Sequence, residues 1–196
     1  MRVLIAPDSF TGTLSATEAA GAIAEGWLRT SPNDVIHQAP LSDGGPGFVS
    51  VIAAGLGGQL HSVSICGPLG DPTIAQIVLL DRDGLATAYL ESSQACGLHL
   101  VPLDRQDPRL TTTYGLGELI NHAVALGARR IVIGLGGTGT NDAGAGLLSA
   151  LGATAQDHLG RDCTPALRQG GSALTAVASI DLTACRQAVA GVELVA

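Results

Sequence analysis

Three aspartates each follow a short apolar run and sit among glycine, serine or proline. They are Asp8 in Ala6-Pro-Asp-Ser-Phe, Asp43 in Leu41-Ser-Asp-Gly-Gly-Pro-Gly, and Asp142 in Gly136-Gly-Thr-Gly-Thr-Asn-Asp. In open α/β sheets the loops that follow the strands gather at one edge, so these carboxylates are expected to face one crevice. Acids beside glycine loops suit Mg²⁺ and polyphosphate better than hydride chemistry, because glycine backbone N–H groups can approach an anion with no Cβ in the way. Asp8, Asp43 and Asp142 are therefore the candidate catalytic residues. Taken singly, each is as readily an N-cap or an Asx-turn.

Neutral donors surround them. Ser9, Thr112, Thr113, Thr138 and Thr140 offer hydroxyls, Asn141 an amide, and Gly44, Gly45, Gly136 and Gly137 open backbone, so these ten are the candidate substrate- and phosphate-binding residues. Glu91, closing an apolar run, is the best remaining acid. Gly134, Gly136 and Gly139 also spell G-x-G-x-x-G, but that fingerprint needs an acid ending a second strand about 20 residues on, and Asp157 lies in a stretch that reads as loop. The plainer reading is that these glycines serve tight turns and close packing. No histidine has metal-ligand spacing, and no serine sits in G-x-S-x-G.

The elements that must position these residues follow from periodicity. Arg2 to Ala6 is a strand, with Val-Leu-Ile-Ala as its short apolar run. Ser15 and Glu18 form a capping box before a helix with Ala20, Ile23 and Trp27 on one face, which makes Trp27 a core residue. A strand at 35–39 leads through a glycine loop to a helix at 48–56, and a more exposed strand covers 59–65. Residues 74–80 and 85–90 read as an antiparallel hairpin across Asp81-Arg-Asp-Gly84, which breaks the strand-helix-strand rhythm. A helix runs through Leu126 and stops at Gly127. Ile131, Val132 and Ile133 form a parallel strand covered on both faces, and a helix from 143 to 151 follows the glycine run. The last residues form a strand, so the fold is expected to be incomplete. The fold class is thus α/β and two-lobed. Residues 1–65 and 112–155 form a flavodoxin- or Rossmann-like parallel-sheet lobe, and 66–111 with 156–196 form a second, smaller, incomplete α/β lobe.

Composition narrows the function. A hydrophobic share of 46% with 14% charged residues describes a folded chain rather than a disordered one. There is no lysine, which excludes a Walker A loop and a Schiff-base lysine and leaves anions to backbone N–H, arginine or metal. A net charge of -7 without a basic stripe argues against nucleic acid. The four cysteines form no C-x-x-C pair, the N-terminus lacks a signal-peptide core, and no apolar run reaches membrane-spanning length, so a cytoplasmic protein away from membranes is expected.

Four separated stretches resemble the type I glycerate kinase family: Ala6-Pro-Asp-Ser-Phe, Asp43-Gly-Gly, Thr111-Thr-Thr-Tyr-Gly-Leu-Gly-Glu-Leu-Ile, and Gly136-Gly-Thr-Gly-Thr-Asn-Asp-Ala-Gly-Ala-Gly. Gly67-Pro-Leu-Gly and Cys96-Gly-Leu add to the likeness. The resemblance implies a cleft between two lobes and phosphorylation of D-glycerate to 2-phosphoglycerate with ATP and Mg²⁺. Asp8 and Asp43 would be the metal ligands, with homodimerisation left open. Two family positions differ, Thr11 standing where the family has lysine and Pro46 where it has glutamate. The alternative is a degenerate or truncated member that binds ligand or partner without phosphotransfer. A nicotinamide-dependent oxidoreductase rests on the glycine fingerprint alone.

Overall fold

The computed structural model describes residues 1–196 throughout. The chain opens with β1 (Arg2–Ile5), α1 (Ala16–Thr30) and β2 (Val35–Gln38), whose strands pair in parallel from Arg2 opposite Val35 to Ile5 opposite Gln38. Helix α1 starts where Ser15 and Glu18 exchange hydrogen bonds in the expected capping box. Its Ala20 and Ala24 bury against Ile5, with Val3 and Ile36 alongside, in a small core of its own. Trp27 stays 37% exposed, and its indole N–H donates to Asp34 at 2.9 Å. It rims this unit rather than filling a core.

After α2 (Phe48–Leu56), the chain lays down β3 (Gln59–Cys66), β4 (Pro72–Arg82) and β5 (Leu85–Glu91) as an antiparallel meander. Asp83 and Gly84 both take positive φ, 55° and 79°, which matches the right-handed twist of a tight hairpin. Next come α3 (Ser93–Cys96), α4 (Tyr114–Ala125) and β6 (Arg130–Gly134), which runs parallel to β5. The chain continues through α5 (Ala145–Ala150), the antiparallel pair β7 (Thr154–Gln156) and β8 (Ser179–Asp181), α6 (Thr183–Ala188), and β9 (Glu193–Val195) parallel to β6. The main sheet has the order β3-β4-β5-β6-β9. Ile77, Leu90, Leu119, Ile120, Ile131 and Leu167 are the largest fully buried side chains of its core. No helix is long and apolar enough to cross a membrane.

The architecture is mixed α/β, as expected, but the strand pairing departs from the expected grouping. The hairpin at 72–91 does not stand apart from the parallel part. Its second strand, β5, is also the first strand of a β-α-β crossover through α4 to β6. Strand β5 is bonded along both edges, to β4 antiparallel and to β6 parallel, and its Ala88 and Leu90 are fully buried in the core. Strands β1 and β2 do not join this sheet.

Candidate active site

The ladder of β1 and β2 continues beyond the strands, with Ala39 N–H donating to Ile5 O at 2.8 Å and Leu41 N–H to Pro7 O at 2.9 Å. The two loops therefore leave the sheet side by side, carrying Asp8 and Asp43 to the same edge. Oδ1 of Asp8 accepts from Ser9 N–H at 2.6 Å and Oδ1 of Asp43 from Gly45 N–H at 2.9 Å, while Oδ2 of each has no protein partner. A cavity of about 340 Å³ opens beside Asp8, bounded also by Ser9, Thr11, Ser42, Pro46 and Ser50 among others; Asp43 does not itself line it.

The loop after β6 lies directly against the loop after β2. A Cβ at Gly134 would meet Gly44 O and the Phe48 ring at 2.7 Å, one at Gly136 would meet Gly45 Cα at 2.8 Å, and one at Gly137 would meet the Pro46 ring at 2.9 Å. A Cβ at Gly139 would meet Leu98 Cα at 2.9 Å. The three glycines of the G-x-G-x-x-G match are thus accounted for by backbone-on-backbone packing, and none has positive φ.

The two loops differ in the donors they leave free. Gly44 N–H is bonded to Ser42 Oγ, Gly45 N–H to Asp43, and Gly47 N–H to Glu91, so the expected phosphate donors Gly44 and Gly45 are engaged inside the protein. Across the contact, Gly136 N–H makes only a 3.5 Å contact with Ser92 Oγ, and the N–H groups of Gly137, Thr138 and Thr140 have no partner. Thr138, Gly139, Thr140 and Asn141 line a second cavity of about 300 Å³ with Gln106 and Asp107. Neither cavity is lined by a basic residue. A polyanion bound there would be met by backbone N–H, by hydroxyls and by a metal. Asp107 was not expected here; the Arg109 side chain beside it holds its carboxyl down at about 2.

Asp142 corrects the expected acid trio. It is 1% exposed, and its carboxylate accepts from Thr113 N–H and Thr113 Oγ1 at 2.8 Å and from Gly144 N–H and Gly146 N–H at 3.1 Å, with Thr112 Oγ1 at 3.5 Å. It ties the segment before α4 to the first turn of α5, the capping role that an aspartate in such a loop can equally fill. Thr112 and Thr113 are corrected with it: both hydroxyls face Asp142, and Thr113 Oγ1 also accepts from Leu147 N–H at 2.9 Å. Thr140 Oγ1 donates to Thr111 O at 2.8 Å, so Thr140 offers its N–H but not its hydroxyl. Helix α5 starts at Ala145 rather than 143 because Ala143 and Gly144 are both left-handed.

No group of three or more His, Cys, Asp or Glu side chains could cage a metal. Mg²⁺ does not need such a cage, since it is usually bound through one or two carboxylates plus water and substrate phosphates. Asp8 and Asp43, each with a free oxygen, fit that mode; Asp142 does not.

Comparison with known proteins adds an independent line. A model of the glycerate kinase family matches residues 3–196. A Bacillus subtilis protein named glycerate kinase is 42% identical over 99% of this chain and 49% of its own length, and an Escherichia coli glycerate 2-kinase is 40% identical over 93% of this chain and 46% of its own. A crystal structure from Salmonella typhimurium LT2, described as a candidate glycerate kinase 2, superposes with a TM-score of 0.79 at 39% identity, covering 99% of this chain and 51% of that one. The chain spans about half the length of these relatives.

Proposed function

Because the chain belongs to the glycerate kinase family, we propose that it takes part in ATP-dependent phosphorylation of D-glycerate to 2-phosphoglycerate. The observation that carries this reading is the delivery of Asp8 and Asp43 by adjacent loops to one sheet edge, where Asp8 lines a cavity without basic residues and the loop bearing the free N–H groups of Gly137, Thr138 and Thr140 packs against the Asp43 loop.

Phosphoryl transfer asks mainly for positioning and for charge stabilisation, which suits such a set. Asp8 and Asp43 would hold Mg²⁺ through their free oxygens. When bound, Mg²⁺ supplies neutralisation of charge on the phosphates. Asp8, which lines the cavity, would orient the attacking hydroxyl with Ser9 beside it, and the N–H groups of Gly137, Thr138 and Thr140 with the Asn141 side chain would hold phosphate oxygens. The proposal sets the reaction in the cytoplasm, where the four free thiols would stay reduced.

A second reading is favoured by Thr11 and Pro46. Both line the cavity at the positions where the resemblance expects lysine and glutamate, and losing such charges favours binding without transfer. ADP release on adding D-glycerate and ATP, measured beside calorimetry of Mg²⁺–ATP binding, separates the two. Turnover that falls about 100-fold or more in Asp8→Asn and Asp43→Asn supports the kinase. Binding without turnover, persisting after Thr11→Lys with Pro46→Glu, supports the second reading.

A further inference from the structure

Glu91 is a buried acid that the proposed reaction leaves unused. It ends β5, is 4% exposed and belongs to no salt bridge. Its Oε2 accepts from Gly47 N–H at 3.1 Å and Val49 N–H at 3.2 Å, and its Oε1 accepts from the Ser93 hydroxyl. Gln94 Nε2 adds a 3.4 Å contact, and Gln94 Oε1 is itself fixed by Gln76 N–H at 2.8 Å.

These partners are informative. Helix α2 has glycine at its N-cap, no side-chain cap of its own and no acid in its first turn. An uncapped helix start is a ready anion site, because unpaired N–H groups and the helix dipole both favour negative charge. Here a carboxylate more than forty residues away in sequence fills it. The same contact pins the Gly47 end of the loop carrying Asp43, whose middle lies on Gly134 to Gly137. Two loops from different sheets are thereby locked in one relative position.

We propose that Glu91 is a positioning residue of the site. Its carboxylate is the resident anion of α2, fixes the Asp43 loop against the glycine loop, and directs an anionic ligand to the free N–H groups of Gly137, Thr138 and Thr140. This rests on the glycerate kinase reading only for the identity of the ligand.

The test compares the 196-residue protein with Glu91→Ala and Glu91→Gln. It uses Mg²⁺–ATP as calorimetric probe, hydrogen exchange at the Gly47 and Val49 N–H groups, and formate as a replacement carboxylate. In Glu91→Ala, affinity for Mg²⁺–ATP is expected to fall by about tenfold or more, as for other outer partners of metal sites. The two N–H groups are expected to lose protection, and formate to restore both properties. A carboxylate that only supported the fold would lower the melting temperature and leave affinity and formate response unmoved, which overturns the proposal. If the unsubstituted protein does not bind Mg²⁺–ATP, the kinase reading fails and Glu91 is judged by exchange alone. Formate-dependent protection then sustains its hold on the loop, and unaltered exchange refutes it. If the alanine variant does not fold, Glu91→Gln, which keeps one carbonyl oxygen but not the charge, carries the affinity and exchange comparison without the formate arm.

Discussion

Asp8 and Asp142 are the same residue type in similar loops, and their surroundings give them opposite work. Asp8 keeps an oxygen open to the cavity, whereas Asp142 is enclosed by donors from two segments about thirty residues apart. Asp142→Ala strands several buried donors and is expected to cost about 3 kcal/mol or more of unfolding free energy, while Asp8→Asn is expected to change it by no more than about 0.5 kcal/mol. Urea denaturation checks both, and equal midpoints for the two variants would refute the assignment. The sequence could place both aspartates after strands, but not tell them apart, because the deciding donors, Thr113 and Gly146, come from elsewhere in the fold. Asp107 adds a pH prediction. Its carboxyl is held down to about 2 by Arg109, so the stability it contributes is complete above the ordinary carboxylate range and is lost as pH falls towards 2. Carbon-detected titration is expected to show that low midpoint, and Arg109→Ala to raise it part of the way, since the residue 109 backbone N–H keeps its bond to the carboxylate.

Glycines decide how closely the helices approach. A Cβ at Gly117 of α4 would stand 2.5 Å from Leu147 O and 2.7 Å from Ala150 Cβ of α5, so Gly117→Ala is expected to destabilise by about 1–3 kcal/mol. Gly21, inside α1 with nothing within 4 Å of its would-be Cβ, is expected to respond in the opposite sense: Gly21→Ala stabilises by up to about 1 kcal/mol through helix propensity. Melting temperatures of the two variants should move in opposite directions. The long elements were legible because their signals are local. The capping box of α1, the span of α2, the turn at Asp83-Gly84 and the end of α4 at Gly127, with φ 89°, all stand where the residues indicate. The start of α5 and the pair β7–β8 were not. Three-residue strands show no period, and a left-handed Ala143 is imposed by the bonds of its neighbour Asp142.

At the scale of the molecule, what the sequence did not disclose is which strands pair. Apolar runs at 2–5, 85–91 and 130–134 look alike, and only three-dimensional burial separates the last two from the first. The outcome is uneven support: one extensive core under the five-stranded sheet, and a core of Ile5, Ala20 and Ala24 under β1 and β2. Backbone N–H groups of β1 are therefore expected to exchange faster than those of β5 and β6 under native conditions. Equal protection would show that the two parts open together. Trp27 makes this distinction optically accessible. It is the single tryptophan of the chain and sits on α1, tethered to Asp34, so indole emission watches the smaller part while far-ultraviolet dichroism is weighted to the larger. Two melting curves recorded on one sample, one from each signal, would separate if the smaller part loosens first.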